Sequence, residues 1–256
     1  MKILVALKQV PARDSQFRVN AAAQWIDTTD LSHEINEPDA YALESGLRLK
    51  EQHGGEVVVL CAGPESAASA IREALAKGAD RAIHVQEENL PGYDSLSLAK
   101  LLAEAARAEA ADLILTGLQS DDLGSGQTGV ILAELLGLPH ATIIMDVEVR
   151  EDGLRVKREL EDGWFQHVSL PLPAVLTIQS GSSRLRYATL MGIKKAKTKE
   201  VRAVTAAGLG VAPEAGTVLE RVALPDRTKQ TVLLEGTPEE QAAQLVEKLK
   251  HEVRAL

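Results

Sequence analysis

The stretch TGLQSDDLGSGQTG, residues 116–129, follows an apolar run at Leu113–Leu115 and leads into a second apolar segment, Val130–Leu136. The first run is typical of a buried strand, and the second is typical of a helix. The glycines between them allow left-handed dihedral angles and a close approach of the backbone to a ligand. The stretch therefore predicts a strand, a glycine-rich loop and a helix, the arrangement with which open α/β sheets hold nucleotides at their carboxyl edge.

The polar residues of this loop suit a phosphate group. Ser125, Gln127 and Thr128 place polar donors where the predicted helix begins. The N-terminus of a helix offers free N–H groups and the positive end of the helix dipole. However, the loop matches neither the Walker P-loop nor the GxGxxG pattern. At this point phosphate binding and an ordinary glycine-rich turn both remain open.

Three further strand-and-helix units precede this loop. Their strands are predicted at Lys2–Leu7, Glu56–Cys61 and Arg81–Val85. Asn36 is a favourable cap for the first helix, with Pro38 in its first turn, and Asp94 is a favourable cap for the third. Four such repeats, each with a one-sided apolar helix, predict a doubly wound, mostly parallel, Rossmann-like sheet covered on both faces.

The pattern changes after His140, where three β-rich segments follow one another. Ala141–Val149, Leu154–Leu160 and Trp164–Leu170 are separated by Asp-Gly turns, as in a meander. Ala174–Gln179 then returns as a strand of the buried type. We interpret these segments as strands added to one edge of the sheet.

From Gly181 onward the pattern of a compact domain stops. Residues 201–227 contain apolar residues without a sustained period, which indicates an arm that lies on another surface. Thr237–Glu240 has the form of a capping box, and an apolar stripe follows it, so a C-terminal helix is predicted. We therefore divide the chain into residues 1–180, 181–200 and 201–256.

Composition excludes several classes of protein. The formal net charge of −9 argues against a nucleic-acid partner, and the 3% content of aromatic residues leaves few rings for stacking on bases. The single cysteine, Cys61, rules out an internal disulfide and a cysteine-ligated metal site. Apolar runs are too short to cross a bilayer, so we expect no membrane insertion. Because the first strand begins at Lys2, we also expect no targeting peptide and a cytoplasmic location.

Residues capable of catalysis do not form a recognisable set. The six histidines lack metal-ligand spacing, and no Ser/His/Asp or Cys/His combination stands out. Asp121 and Asp122 are suitable for a metal ion or a ribose hydroxyl, although adjacent loop carboxylates are more often solvated. Lys194, Lys195, Lys197 and Lys199 form either a solvated face or a contact steered toward an acidic partner. The residues thus predict a nucleotide-binding domain without catalytic machinery, followed by segments for contact.

Several of these motifs resemble one family over essentially the whole chain. They are ILVALKQV at 3–10, Asn-Glu-Pro at 36–38 before Glu44, CAGP at 61–64, IREALAKGAD at 71–80, SGQTG at 125–129, and RYATL at 186–190 with the lysines after it. In these motifs the sequence resembles the small (beta) subunit of electron transfer flavoproteins. The RYATL segment is the most specific of them, because plain nucleotide-binding domains lack it.

The resemblance implies an electron carrier and not an enzyme. It implies a heterodimer in which a large (alpha) subunit holds most of the FAD site and this subunit holds a structural AMP. The implied AMP-binding residues are Ala6, Asn36, Glu37, Pro38, Asp39, Ala62, Gly117, Leu118, Gln119, Ser120, Asp121, Asp122, Leu123, Gly124, Ser125, Gly126, Gln127 and Thr128. Arg13 stands where a tyrosine can approach the flavin in the family.

The resemblance also implies roles for the later segments. Residues 181–200 would form a recognition loop that docks on acyl-CoA dehydrogenases, with Tyr187, Thr189, Leu190 and Met191 in the contact and Leu190 as its hydrophobic anchor. Electrons would pass through FAD to a quinone-linked oxidoreductase. Residues 201–256 would form an arm and a helix that pack on the large subunit.

Other interpretations of the sequence remain. A stand-alone ATP- or AMP-binding module like the universal stress proteins explains Lys2–Gln179 and leaves the rest of the chain unexplained. A member of the same family that splits electron pairs would hold a second FAD in place of AMP. An enzyme that acts on the nucleotide would need a metal or a base, which the sequence does not display.

Overall fold

The computed structural model describes residues 1–88, 90–212, 215–225 and 231–255, apart from the side chain of Pro91. The chain divides into two compact units, Met1–Val222 and Ala223–Leu256. The predicted boundaries at residues 180 and 200 do not coincide with this division. Across the described ranges, no helix is long and apolar enough to cross a membrane.

The first unit contains eleven strands and five α-helices within the described residues. The elements, in chain order, are β1 (Lys2–Leu7), β2 (Gln9–Pro11), β3 (His33–Ile35), α1 (Glu37–His53), β4 (Glu56–Gly63), α2 (Ala68–Lys77), β5 (Arg81–Gln86), α3 (Ser95–Arg107), β6 (Leu113–Gly117), α4 (Thr128–Leu136), β7 (His140–Arg150), β8 (Gly153–Glu159), β9 (Phe165–Leu170), β10 (Ala174–Ile178), α5 (Leu190–Ala196) and β11 (Val201–Thr205). The second unit contains α6 (Pro238–Lys248).

Nine of these strands form one sheet in the order β11-β5-β4-β1-β6-β10-β7-β8-β9. All neighbours are parallel except β7 with β8 and β8 with β9, which are antiparallel. After β1 the chain adds β4 and β5 on one side and then crosses to add β6 on the other. This confirms the prediction of a doubly wound, mostly parallel α/β sheet with added strands at one edge.

Helices cover both faces of this sheet, as the alternation of side chains along β1 requires. Ile3 and Val5 belong to a buried apolar cluster with Leu43 of α1 and Ile71 of α2. Leu4 points the other way, into a cluster with residues of α3 and α4. The central strands β1, β4, β6 and β10 lie between these two clusters and are buried on both faces, which explains their uninterrupted apolar sequences.

One expectation about the strands is confirmed and one needs correction. Ala174–Gln179 was expected as a buried-type strand among those added to one edge; Ala174–Ile178 is the innermost of the four strands that extend the sheet beyond β6, and all five of its residues are buried. Residues 201–227 were expected to form an arm, but Val201–Thr205 pairs in parallel with β5 at the opposite edge. This strand is short and half-exposed, so its apolar residues do not form the run by which the buried strands are recognised.

The second unit bears out the predicted C-terminal helix. Thr237 accepts a hydrogen bond from the backbone N–H of Glu240 at 3.3 Å, and the Glu240 carboxylate accepts one from the N–H of Thr237 at 2.8 Å. This reciprocal pair is the capping box that the sequence predicts. None of the residues of α6 is buried, and its apolar side chains Leu245 and Val246 are exposed.

Candidate functional site

The point where the strand order reverses lies between β1 and β6. Strand β1 has β4 as its neighbour on one side and β6 on the other. The loops that follow β1 and β6 at their carboxyl ends therefore separate and leave a crevice. Ala6 lies near the end of β1, Ala62 near the end of β4, and Gly117 at the end of β6. The loop 118–127 and Thr128, the first residue of α4, follow directly. Residues 36–39 contribute the N-terminus of α1, so the structure brings all the predicted nucleotide-binding residues to this edge.

Asp39 joins the two strands that border the crevice. Its carboxylate accepts hydrogen bonds from the backbone N–H of Lys8 at 2.7 Å and from that of Gly117 at 2.9 Å. Burial disfavours the charged form and raises the pKa of Asp39 to about 7, although both N–H groups and the Asn36 side chain act in the opposite direction. The carboxylate therefore ties the end of β1 to the end of β6.

Asn36 joins the glycine-rich loop to α1. Its side-chain amide donates to the carbonyl of Gln119 and accepts from the N–H of Asp121, both at 2.9 Å, and the residue is only 1% exposed. Asn36 occupies the N-cap position as predicted, but its side chain makes no capping hydrogen bond. The expected cap is instead a connection between the helix and the loop.

Two glycines allow close packing around the crevice. A Cβ atom on Gly117 would lie 2.7 Å from the backbone nitrogen of Asp39 and 2.7 Å from Cβ of Pro38. A Cβ atom on Gly129 would lie 2.7 Å from Cγ2 of Thr177 on β10. Glycine at these positions is thus what lets the first turns of α1 and α4 approach the sheet.

In the part of the chain that the structure describes, no side chain caps the N-terminus of α4. Gln127 is its N-cap residue and makes no side-chain capping hydrogen bond. The first N–H groups of a helix have no acceptor within the helix, and they lie at the positive end of its dipole. Gly124 and Gly126 turn the preceding loop through a φ of +62°, and most of this loop is exposed to solvent. This geometry suits a phosphate group.

The sequence analysis missed the role of Lys8. Its ammonium group lies 2.6 Å from Oδ1 of Asp122 and 3.4 Å from the hydroxyl of Ser120. Arg13 forms ion pairs with Glu37 and Asp121 across the same edge. Both aspartates of the loop are therefore ion-paired, and within the described residues no group of three metal-ligating side chains occurs. The position of Lys8 directly after β1 is the signal that predicts its place at this edge.

The predicted partner-binding residues lie on a different surface. We call residues 187–193 the docking segment; it comprises the loop before α5 and the first turn of that helix. Thr189 caps α5 by accepting from the N–H of Gly192 at 3.0 Å. Tyr187, Leu190 and Met191 are 90%, 83% and 61% exposed. All four predicted contact residues are accessible there, since Thr189 is also exposed.

The chain beyond the docking segment is fixed to α2. Lys199 donates to the carbonyls of Leu75, at 2.9 Å, and of Ala79, and burial lowers the pKa of its ammonium group. Arg72 donates to the carbonyl of Ala196 at 2.7 Å. These bonds satisfy carbonyls at the C-terminus of α2 and of α5, so the exposed side chains project from a fixed backbone.

Comparison with known proteins gives consistent matches. A family model described as "Electron transfer flavoprotein domain" matches residues 24–209. The "Electron transfer flavoprotein subunit beta" of Methylophilus methylotrophus is 36% identical over 257 residues, covering 96% of this chain and 97% of that relative. The proteins of the same name from Bradyrhizobium diazoefficiens and Homo sapiens are 38% and 35% identical, over 259 and 253 residues. The first match covers all of both chains, and the second covers 98% of this chain and 97% of the human protein.

Proposed function

Because this chain belongs to the electron transfer flavoprotein family as a beta subunit, we propose that it is the small subunit of a heterodimeric electron carrier. The relatives are named as one subunit, which supports a partner chain, the large (alpha) subunit. In this proposal the large subunit holds most of the FAD, and this chain contributes no catalytic residue of its own. The family match includes the loop 118–127 and the docking segment, so both surfaces belong to the proposal.

The crevice between β1 and β6 is the proposed site of a structural AMP. The observation that carries this proposal is the pair of buried polar side chains, Asn36 and Asp39, which hold the loop and the strand ends in place around the crevice. Side chains of this type are rarely buried unless they are hydrogen-bonded, so they shape the crevice as part of the fold. The N-terminus of α4 then supplies N–H groups to the phosphate.

The docking segment is the proposed contact for acyl-CoA dehydrogenases. Its exposed Leu190 and Met191 form the kind of apolar patch that marks interaction sites on proteins. Lys194 and Lys195 follow in α5 and are exposed, which favours an acidic partner surface. Electrons would pass from the dehydrogenase to FAD and then to a quinone-linked oxidoreductase.

The experiment that tests this function identifies the small molecules that the protein holds. The chain is expressed alone and together with its large subunit, and bound molecules are released and quantified. We expect FAD and AMP in equal amounts, held only by the pair. Two FAD molecules per heterodimer would indicate that a second flavin occupies the site proposed for AMP. ATP held by the chain alone, without flavin, would favour the stress-protein interpretation.

A double substitution locates the nucleotide within the chain. Gln127→Ala with Thr128→Ala removes two polar side chains at the N-terminus of α4, and we expect the AMP content to fall while the FAD content is retained. Gln52→Ala is the control, because this exposed glutamine lies near the C-terminus of α1, at the opposite end of that helix from residues 36–39. An unchanged AMP content in the first variant would place the nucleotide elsewhere.

A further inference from the structure

Arg186 precedes the docking segment and forms an unusually complete set of ion pairs. Its Nε and Nη2 atoms donate to the two carboxylate oxygens of Glu44 at 2.8 and 3.1 Å. Its Nη1 and Nη2 atoms donate to the two carboxylate oxygens of Glu51 at 2.6 and 3.2 Å. The backbone N–H of Arg186 also donates to Glu44 at 3.3 Å. The guanidinium group is thus bound in a bidentate manner by two carboxylates at once, a geometry that fixes orientation as well as distance.

Glu44 and Glu51 differ in how strongly they anchor Arg186. Glu44 is 5% exposed, so loss of Arg186 would leave a buried charge whose remaining partner is the half-exposed Arg48. A buried charge without its partner is strongly unfavourable. Glu51 is mostly exposed, and its hydrogen bond from Arg186 lowers its pKa. An exposed pair of this kind adds little to stability, so Glu44 is the principal anchor.

Helix α1 provides a rigid base for this anchor. Glu44 and Glu51 are seven residues apart, which places them two turns apart on one side of the helix. The adjoining side of α1 is fixed in the core through Leu43 and Leu47, both buried. Together with Lys199 and Arg72, which fix the chain after α5, Arg186 fixes it before the docking segment.

We propose that Arg186 is a positioning residue that holds the docking segment in one orientation through Glu44 and Glu51. This inference rests on the proposed docking function. An interface that is already ordered loses less conformational freedom on binding, so the ion pairs favour association with the partner. In this proposal the ion pairs act through the orientation of the docking segment alone, and therefore leave the electron transfer step within the complex unchanged.

The test uses the heterodimer with two substitutions. Arg186→Gln removes the positive charge, and Arg186→Lys keeps the charge but lacks the planar guanidinium group that binds two carboxylates in a bidentate manner. Arg81→Gln is the matched control, because Arg81 also bridges two carboxylates, those of Glu56 and Glu109. Two measurements are made: backbone hydrogen exchange over residues 187–196, and the KM and kcat for reduction by an acyl-CoA dehydrogenase. FAD and AMP contents report whether each variant keeps its fold.

We expect Arg186→Gln to accelerate exchange over residues 187–196 and to raise KM about tenfold while kcat stays within about twofold, as lost preorganisation requires. Arg186→Lys should recover only part of the effect, because lysine is a point charge. Glu44→Gln should raise KM similarly, and the double variant should add little, since the two residues act through one interaction.

Three results would overturn the inference: unchanged exchange in Arg186→Gln, a fall in kcat without a change in KM, or an equal effect of Arg81→Gln. The exchange measurement needs no electron donor, so it judges the positioning role separately from the docking function. A wild-type heterodimer that accepts no electrons from any dehydrogenase, but in which Arg186→Gln still accelerates exchange, would refute the docking function and leave the anchoring role in place.

Discussion

The crevice buries polar side chains, whereas the docking segment exposes apolar ones. Asn36 and Asp39 lie almost completely inside the protein, where each makes two hydrogen bonds to loop or strand backbone. Tyr187, Leu190 and Met191 project into solvent from a backbone that is fixed at both ends. Both regions depart from the usual distribution of residues, but in opposite directions.

This difference separates two ways in which a site is coupled to folding. A buried polar group is costly unless its hydrogen bonds are made, so substitutions in the crevice should change the free energy of unfolding. An exposed apolar side chain has almost the same surroundings in the folded and unfolded chain, so substitutions in the docking segment should change binding and leave stability intact. The following predictions, from the largest effect on stability to the smallest, test this separation.

Asp39 should make the stability of the protein depend on pH. Its pKa is raised from 3.8 to about 7, so its contribution to stability is complete below its unfolded pKa and is lost as the pH rises through 7. Relative to Asp39→Asn, the free energy of unfolding of the wild type should fall by roughly 3 kcal/mol between pH 5 and pH 8, as one pKa unit corresponds to about 1.4 kcal/mol. Urea denaturation at several pH values measures this difference.

The groups around Asp39 support this assignment. Lys8 approaches from the end of β1, with its ammonium group paired to Asp122, and Cys61 of β4 has a pKa raised to about 12, so its thiol stays neutral in this range. Asp94→Asn is the control, since hydrogen bonding from Ser97 lowers the pKa of Asp94 to about 2. Its contribution is lost on acidification, the opposite sign. An Asp39→Asn protein with the same pH dependence as the wild type would contradict the prediction.

Gly117→Ala should be the most destabilising single-methyl change in the crevice. The added Cβ would meet the backbone of Asp39 at 2.7 Å, and backbone cannot rotate away, so we expect a loss of about 2–3 kcal/mol. Gly124→Ala is the control, because no atom of the described residues lies within 4 Å of its Cβ position and its positive φ opposes alanine at a cost of about 1 kcal/mol. Equal effects of the two changes would show that α1 does not pack closely on β6.

Asn36→Ala should cost less, about 1–2 kcal/mol, because it removes two hydrogen bonds to a partly exposed loop. The effect should concentrate on the loop, so hydrogen exchange over residues 118–122 should accelerate more than exchange in α1. Asn20→Ala is the control, since Asn20 makes a comparable loop contact, to the N–H of Gln24, on the exposed surface. If exchange changed in α1 alone, Asn36 would act as the cap that the sequence suggests.

The sequence predicted the sheet and the edge at which the crevice lies. Uninterrupted apolar runs such as Glu56–Cys61 identify strands buried on both faces, and the residues that follow them in the chain must meet at one edge when the strands are parallel. The cap of α3 by Asp94 could also be predicted, because it depends only on residues that are close together in the sequence.

The sequence could not predict contacts between distant residues. Asn36 resembles a local cap, yet its partners lie 83 and 85 residues away. Glu44 and Arg186 are 142 residues apart, and only the packing of α1 brings them together. The edge strand Val201–Thr205 lacks an apolar run because it is half-exposed at the edge of the sheet, where it pairs with β5. Local patterns define elements, whereas the fold defines which side chains meet.

Leu190→Ala should have the smallest effect on stability and a clear effect on docking. Leu190 is 83% exposed, so the free energy of unfolding should stay within about 0.5 kcal/mol of the wild type, as for surface substitutions in general. Its loss from an interface removes an apolar anchor, so KM for the electron-donating dehydrogenase should rise while FAD content is unchanged. Leu43→Ala is the control for burial, with an expected loss of about 2–5 kcal/mol because Leu43 lies in the core.

The two leucines therefore separate binding from folding within one layer of the molecule. If Leu190→Ala destabilised the chain by more than about 1 kcal/mol, its side chain would be packing on the protein itself, and the contrast with the crevice would disappear. If stability and KM were both unchanged, the exposed apolar surface would have no part in docking. Only a change in KM at constant stability and constant FAD content is consistent with an exposed side chain that contacts a partner protein.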